Sequence, residues 1–73
     1  MIPLTMMKTG DKVVVARIGG NEEVKKHLED LGFVVGTKIE IISAHDGDVI
    51  VKVRDSKLAI TREMAAKIFV KVA

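Results

Sequence analysis

The dipeptide Asp46-Gly47 sits between two alternating runs, Lys38-Ile39-Glu40-Ile41-Ile42 and Val49-Ile50-Val51-Lys52-Val53-Arg54. Asp-Gly between alternating apolar segments is a strong short-range signal for a β-hairpin. A strand sends successive side chains to opposite faces. Ile39 and Ile41 therefore face one side, with Val49, Val51 and Val53 on the matching side of the partner strand. Ile42 and Ile50 fall off that register, so either both faces are covered or an apolar patch is exposed, and exposed patches suggest a partner.

Three further short segments read as strands. Lys12–Ile18 is rich in β-branched residues and follows the turn Gly10-Asp11. Lys57–Ile60 follows a turn at Asp55-Ser56, and Ile68–Val72 is the last apolar run. One clear helix interrupts them, at residues 21–31. Asn21 is a suitable N-cap, and Glu22 and Glu23 lie where the helix dipole favours negative charge. Val24, Leu28 and Leu31 form one apolar face. Glu22 with Lys26, and Lys25 with Glu29, have the spacing for solvent-side ion pairs. Gly32 supplies the left-handed residue that commonly ends a helix. Thr61 can cap a shorter helical turn over residues 62–67.

Short strands that each bury one face must curl around a common core. The expectation is a mainly β chain: a small, strongly bent barrel of about five strands, with the helix across an open end or edge. Phe33 would plug the core beneath that end. Ile2, Leu4, Met6 and Met7 form an apolar N-terminal edge, weighted toward core packing over an adaptable binding surface.

Composition narrows the function classes. With 73 residues, residues 1–73 make one domain, too small for a cofactor cleft between domains. The apolar fraction of 48% excludes a disordered tail, and the absence of cysteine excludes disulfides, thiolate metal sites and a cysteine nucleophile. No apolar run has the length to span a bilayer, and the first residues lack the pattern of a signal peptide. The net charge of +2 arises in residues 38–73, a mild bias with no dense basic run.

Enzyme chemistry is not indicated. Ser43 and Ser56 lie in no nucleophile elbow, and the anion-attracting start of the helix at Gly19-Gly20-Asn21 carries Glu22 and Glu23. Glu23, His27 and Asp30 are spaced to share a helix face and are the candidate ligands for a weakly bound divalent ion, Fe2+ or Zn2+, against the simpler reading of a solvated face. His45-Asp46-Gly47-Asp48 reads as turn chemistry.

The order of these motifs resembles the FeoA family (ferrous iron transport protein A) over nearly the whole chain. The resemblance rests on Leu4 ahead of Gly10, a strand ending at Gly19, and the run Leu28-Glu29-Asp30-Leu31-Gly32-Phe33-Val34-Val35-Gly36-Thr37. It continues with Gly47-Asp48 and the closing segment Leu58 to Val70. The family often has arginine where this chain has His27 and Thr61, and proline where it has Val35 and Val49. The resemblance implies an SH3-like barrel and a small cytoplasmic, non-enzymatic accessory protein of bacterial ferrous iron transport. A similar domain occurs at the C-terminus of some metal-dependent repressors.

The implied partner is the FeoB-type membrane permease with its cytoplasmic GTP-binding domain, through which the protein would sit at the inner face of the membrane without inserting. The expected docking surface joins Lys25, Lys26 and Glu29 of the helix to Phe33, Val34 and Val35. Two other readings stand beside it. Direct metal binding would use Glu23, His27 and Asp30. Nucleic-acid binding is suggested by the Gly10–Val15 opening but disfavoured by the two aromatics available for stacking. Exposed edge strands would permit weak self-association.

Overall fold

The computed structural model describes all 73 residues. Six strands form one antiparallel sheet: β1 (Ile2–Pro3), β2 (Lys12–Ile18), β3 (Lys38–His45), β4 (Asp48–Val53), β5 (Ser56–Ile60) and β6 (Ile68–Val72). The expected five are all present. The sixth, β1, is a two-residue bridge that pairs Ile2 with Val70 and Pro3 with Phe69. It is too short to show periodicity in the sequence. Spatial order is β1-β6-β2-β3-β4-β5, with helix α1 (Glu22–Asp30) crossing between β2 and β3. Helix α2 (Arg62–Ala65) joins β5 to β6, and a 3-10 turn at Leu4–Met6 follows β1.

The hairpin at Asp46-Gly47 forms as its sequence requires. Both residues have positive φ, 52° and 89°, and His45 pairs with Asp48 across them. This is the two-residue turn whose twist matches that of the strands. The second hairpin turns one residue earlier than expected, at Arg54-Asp55, with Val53 opposite Ser56. Arg54 takes the left-handed position there (φ 57°), which the residue type alone does not signal.

Two register shifts bend the sheet, one between Val15 and Arg17 and one between Ile41 and Ser43. A bulge sharpens local twist and turns a strand's direction. The sheet can then gather its inward residues into one core of 14 buried side chains, among them Val13, Ile39, Ile41, Val51, Val53 and Val70. Ile39, Ile41, Val49, Val51 and Val53 all point inward as their alternation predicts. Ile42 falls at the second bulge and is half-buried, leaving Ile50 exposed on the outer face.

The N-terminal edge divides. Leu4 is fully buried and Met7 packs against the core, but Ile2 and Met6 are exposed. A 3-10 turn brings successive side chains to different sides, so all four cannot share one apolar face. Helix α1 is bounded as its caps dictate. Asn21 Oδ1 accepts the Val24 N–H at 2.9 Å, and Leu31 is the C-cap. Thr61 caps α2 by accepting the Met64 N–H at 3.4 Å, and that helix ends at Ala65, short of Lys67.

Candidate functional site

The segment after α1 is the most tightly specified loop in the chain. Gly32, with φ 109°, takes the left-handed position just beyond the helix. Its N–H bonds to the Glu29 carbonyl at 2.9 Å, and the Phe33 N–H reaches back to the Leu28 carbonyl at 3.0 Å. This pair of bonds is a Schellman motif, which normally brings an apolar contact between the residue after the glycine and the helix's last turn. Phe33 and Leu28 are both fully buried.

Val34 to Thr37 then forms a tight turn. The Thr37 N–H bonds to the Val34 carbonyl at 2.9 Å, and Gly36 has φ 94°. Glycine with positive φ at the third position is the requirement of a type II turn. The second half of the turn is pinned to β2 by two bonds to Val15: the Gly36 N–H donates to the Val15 carbonyl at 2.8 Å, and the Val15 N–H to the Thr37 carbonyl at 2.9 Å. Val34 and Val35 are consequently held in the open, 40% and 63% exposed.

The expected docking residues therefore separate into two groups. Lys26 and Glu29 are exposed on α1, and Lys25 is half-buried. Val34 and Val35 form an exposed apolar point beside the helix end. Phe33 does not belong to the surface: at 0% exposure it cannot touch a partner. The Schellman geometry drives it inward and makes it the anchor of the turn.

Ion pairing on α1 also differs from the expected pattern. Lys25 Nζ lies 3.8 Å from Glu22 Oε1, an i,i+3 pair that replaces both expected i,i+4 pairs. With the Glu22 side chain 96% exposed, it contributes little.

Glu23, His27 and Asp30 are exposed along α1, but no three acidic or histidine groups converge on a metal-sized site. Helix geometry explains this. Glu23 and Asp30 are seven residues apart, about 10 Å along the axis at roughly 1.5 Å per residue. Ligands to one ion each lie about 2 Å from it.

A feature absent from the sequence reading lies on the outer face of the sheet. Lys12, Lys38, Lys52 and Lys57 occupy outward positions on four successive strands, β2 to β5. They are far apart in sequence, and strand register alone unites them. The one sequence signal was local: each lysine stands next to an inward apolar residue.

Similarity to known proteins agrees with this architecture. The model of the FeoA domain family matches residues 2–72. A curated Methanocaldococcus jannaschii protein named "Putative Fe(2+) transport protein A" is 34% identical over 73 residues, covering 100% of this chain and 89% of that protein. The crystal structure of an iron uptake regulatory protein, FeoA, superposes with a TM-score of 0.87 at 28% identity, covering 96% of this chain and 93% of that one. FeoA of Stenotrophomonas maltophilia, solved with zinc and described as a procaryotic SH3 domain protein, superposes with a TM-score of 0.82 at 21% identity. The shares covered there are 97% and 91%, and the likeness carries the fold, which is SH3-like. The match of sequence over residues 2–72 and of fold over nearly every residue means that the chain belongs to the FeoA family.

Proposed function

We propose that the chain is a non-catalytic accessory protein of a ferrous iron transport system. In this reading it works in the cytoplasm by docking on the GTP-binding part of an FeoB-type membrane permease. Family membership and the relative named for Fe(2+) transport support the transport role. The observation that carries the docking role is the pair of exposed valines, Val34 and Val35, on a turn that follows the Schellman motif and is tied to Val15 of β2 through Gly36 and Thr37. An apolar group presented on rigid backbone costs little entropy to bind. Lys26 and Glu29 supply a polar rim beside it, the usual surround of a small apolar contact. Phe33 acts from behind by positioning the turn.

The test is calorimetry of the purified chain against the soluble GTP-binding domain of the same organism's permease, with GDP and with a non-hydrolysable GTP analogue. Saturable binding that is lost in Val35→Asp supports the reading. Binding that survives Val34→Asp/Val35→Asp places the contact elsewhere, and no binding to either the soluble domain or the intact permease removes the docking role.

A further inference from the structure

We propose that the outer face of the sheet is an electrostatic docking surface for an anionic lipid bilayer. Its basis is the strand register. Lys12 stands opposite Glu40, Glu40 opposite Lys52, and Lys52 opposite Lys57, one row across β2, β3, β4 and β5. A second row sets Val14 between Lys38 and Lys71. Strands lie about 4.8 Å apart, so the first row extends about 14 Å. Arg54, at the β4–β5 turn, joins Lys12, Lys38 and Lys52, with Glu40 among them, around an open concavity of about 510 Å³.

These six cations are half of the chain's twelve. Glu40 is the one side-chain carboxylate in either row. None of the six is ion-paired, since both ion pairs in the molecule, Lys25–Glu22 and His45–Asp46, lie elsewhere. Of the ten acidic side chains, Glu40 lies in the first row and Asp11 and Asp55 adjoin Lys12 and Arg54 in the chain, while the other seven gather on other parts of the molecule. Glu22, Glu23, Glu29 and Asp30 are on α1, and Asp46, Asp48 and Glu63 surround the β3–β4 turn and α2. A protein of small net charge is thereby polarised, with one face able to meet a negative surface.

The chemistry of the face selects the occupant. Five of the six cations are lysines, compact charges on flexible stems without the planar fork that reads a single carboxylate or phosphate. No aromatic is available to stack a base: Phe33 is buried and the Phe69 ring lies under Arg17, 5.6 Å from the guanidinium carbon. A protein partner would want a deep apolar anchor; this face exposes one large apolar side chain, Ile50, 42% exposed and two residues along β4 from Lys52, against six cations. A bilayer needs neither fork nor anchor, only many positive charges in one plane. Arg54 keeps its charge at a left-handed backbone position that glycine would hold with less strain.

The inference is independent of the permease reading, and its test involves no partner protein. The intact chain is sedimented with vesicles of phosphatidylcholine alone and of phosphatidylcholine mixed with phosphatidylglycerol, at low salt. Binding is expected to the mixed vesicles only and to fade as salt rises. Lys12→Gln, Lys52→Gln and Lys57→Gln should each weaken it about fivefold. Lys25→Gln and Lys26→Gln on α1 should leave it unchanged. Circular dichroism confirms that each variant is folded. Three outcomes overturn the proposal: no binding to the mixed vesicles, equal loss from the α1 variants, or displacement from the vesicles by a DNA duplex at lower phosphate concentration. The last would assign the face to nucleic acid.

Discussion

The Asp48 carboxylate accepts the backbone N–H of Arg62 at 2.7 Å, joining the first residue of β4 to the first residue of α2. An early N–H of a helix has no partner within the helix and must find one outside. Here the partner comes from the hairpin, so the two segments support each other. Asp48→Ala should cost about 1 kcal/mol, and Asp48→Asn, which retains an acceptor oxygen, less than half of that. Urea denaturation of the three proteins checks the order.

Gly47 sits against the same arginine. A Cβ at this position would lie 2.6 Å from Arg62 Cγ, and the backbone has φ 89°. Gly47→Ala therefore meets two penalties, steric overlap and a left-handed conformation that costs a side chain about 1–2 kcal/mol. The double variant Gly47→Ala/Arg62→Ala removes the two closest contacts, leaves the Cβ at 3.2 Å, and should recover most of the steric part while keeping the backbone part. Full recovery in thermal melts would mean that the turn is not strained by a side chain.

The Val34–Thr37 turn allows stability and docking to be separated. Val35 precedes the positive-φ glycine, and its N–H makes no backbone hydrogen bond. Proline suits that position in a type II turn. Val35→Pro should raise stability by about 0.5 kcal/mol through loss of freedom in the unfolded chain. Val35→Asp should change stability by no more than about 0.5 kcal/mol, as expected for an exposed site, while abolishing capture of the permease domain.

Phe33→Ala should behave differently from any surface change. Removing a fully buried aromatic costs about 3–5 kcal/mol, a large share of the stability of a domain this small. A shift in the urea midpoint with loss of the Schellman turn is the expected signature. Phe33→Leu, which keeps most of the volume, should retain both the fold and permease binding. Loss of binding in a stably folded Phe33→Leu protein would show that the ring itself contributes more than positioning.

The sequence carried most of the fold because its decisive signals are local. Asp46-Gly47 names its own turn, Gly32 names a helix stop, and alternation at Ile39/Ile41 and Val49/Val51/Val53 names an inward face. Each depends on backbone preferences of residues within one or two turns of each other. Arg54 shows the limit. An arginine announces no left-handed turn, so Asp55-Ser56 reads as the β4–β5 turn although the chain reverses one residue earlier, at Arg54-Asp55. Phe33 shows another: it plugs the core as its apolar character and position after the helix imply, and that same burial excludes it from the docking surface.

What the sequence by itself determined is the set of strands and helices, the inward register and the family pattern from Leu28 to Thr37. What only the tertiary structure decided is which distant side chains share a surface. Lys12, Lys38, Lys52 and Lys57 lie on four different strands, and Val34 and Val35 are held out by hydrogen bonds from the next two residues, Gly36 and Thr37, to Val15 in the strand that precedes the helix. Local conformation is governed by near neighbours in the chain. Surface chemistry is governed by strand register and bulges, which are fixed only when the whole core packs.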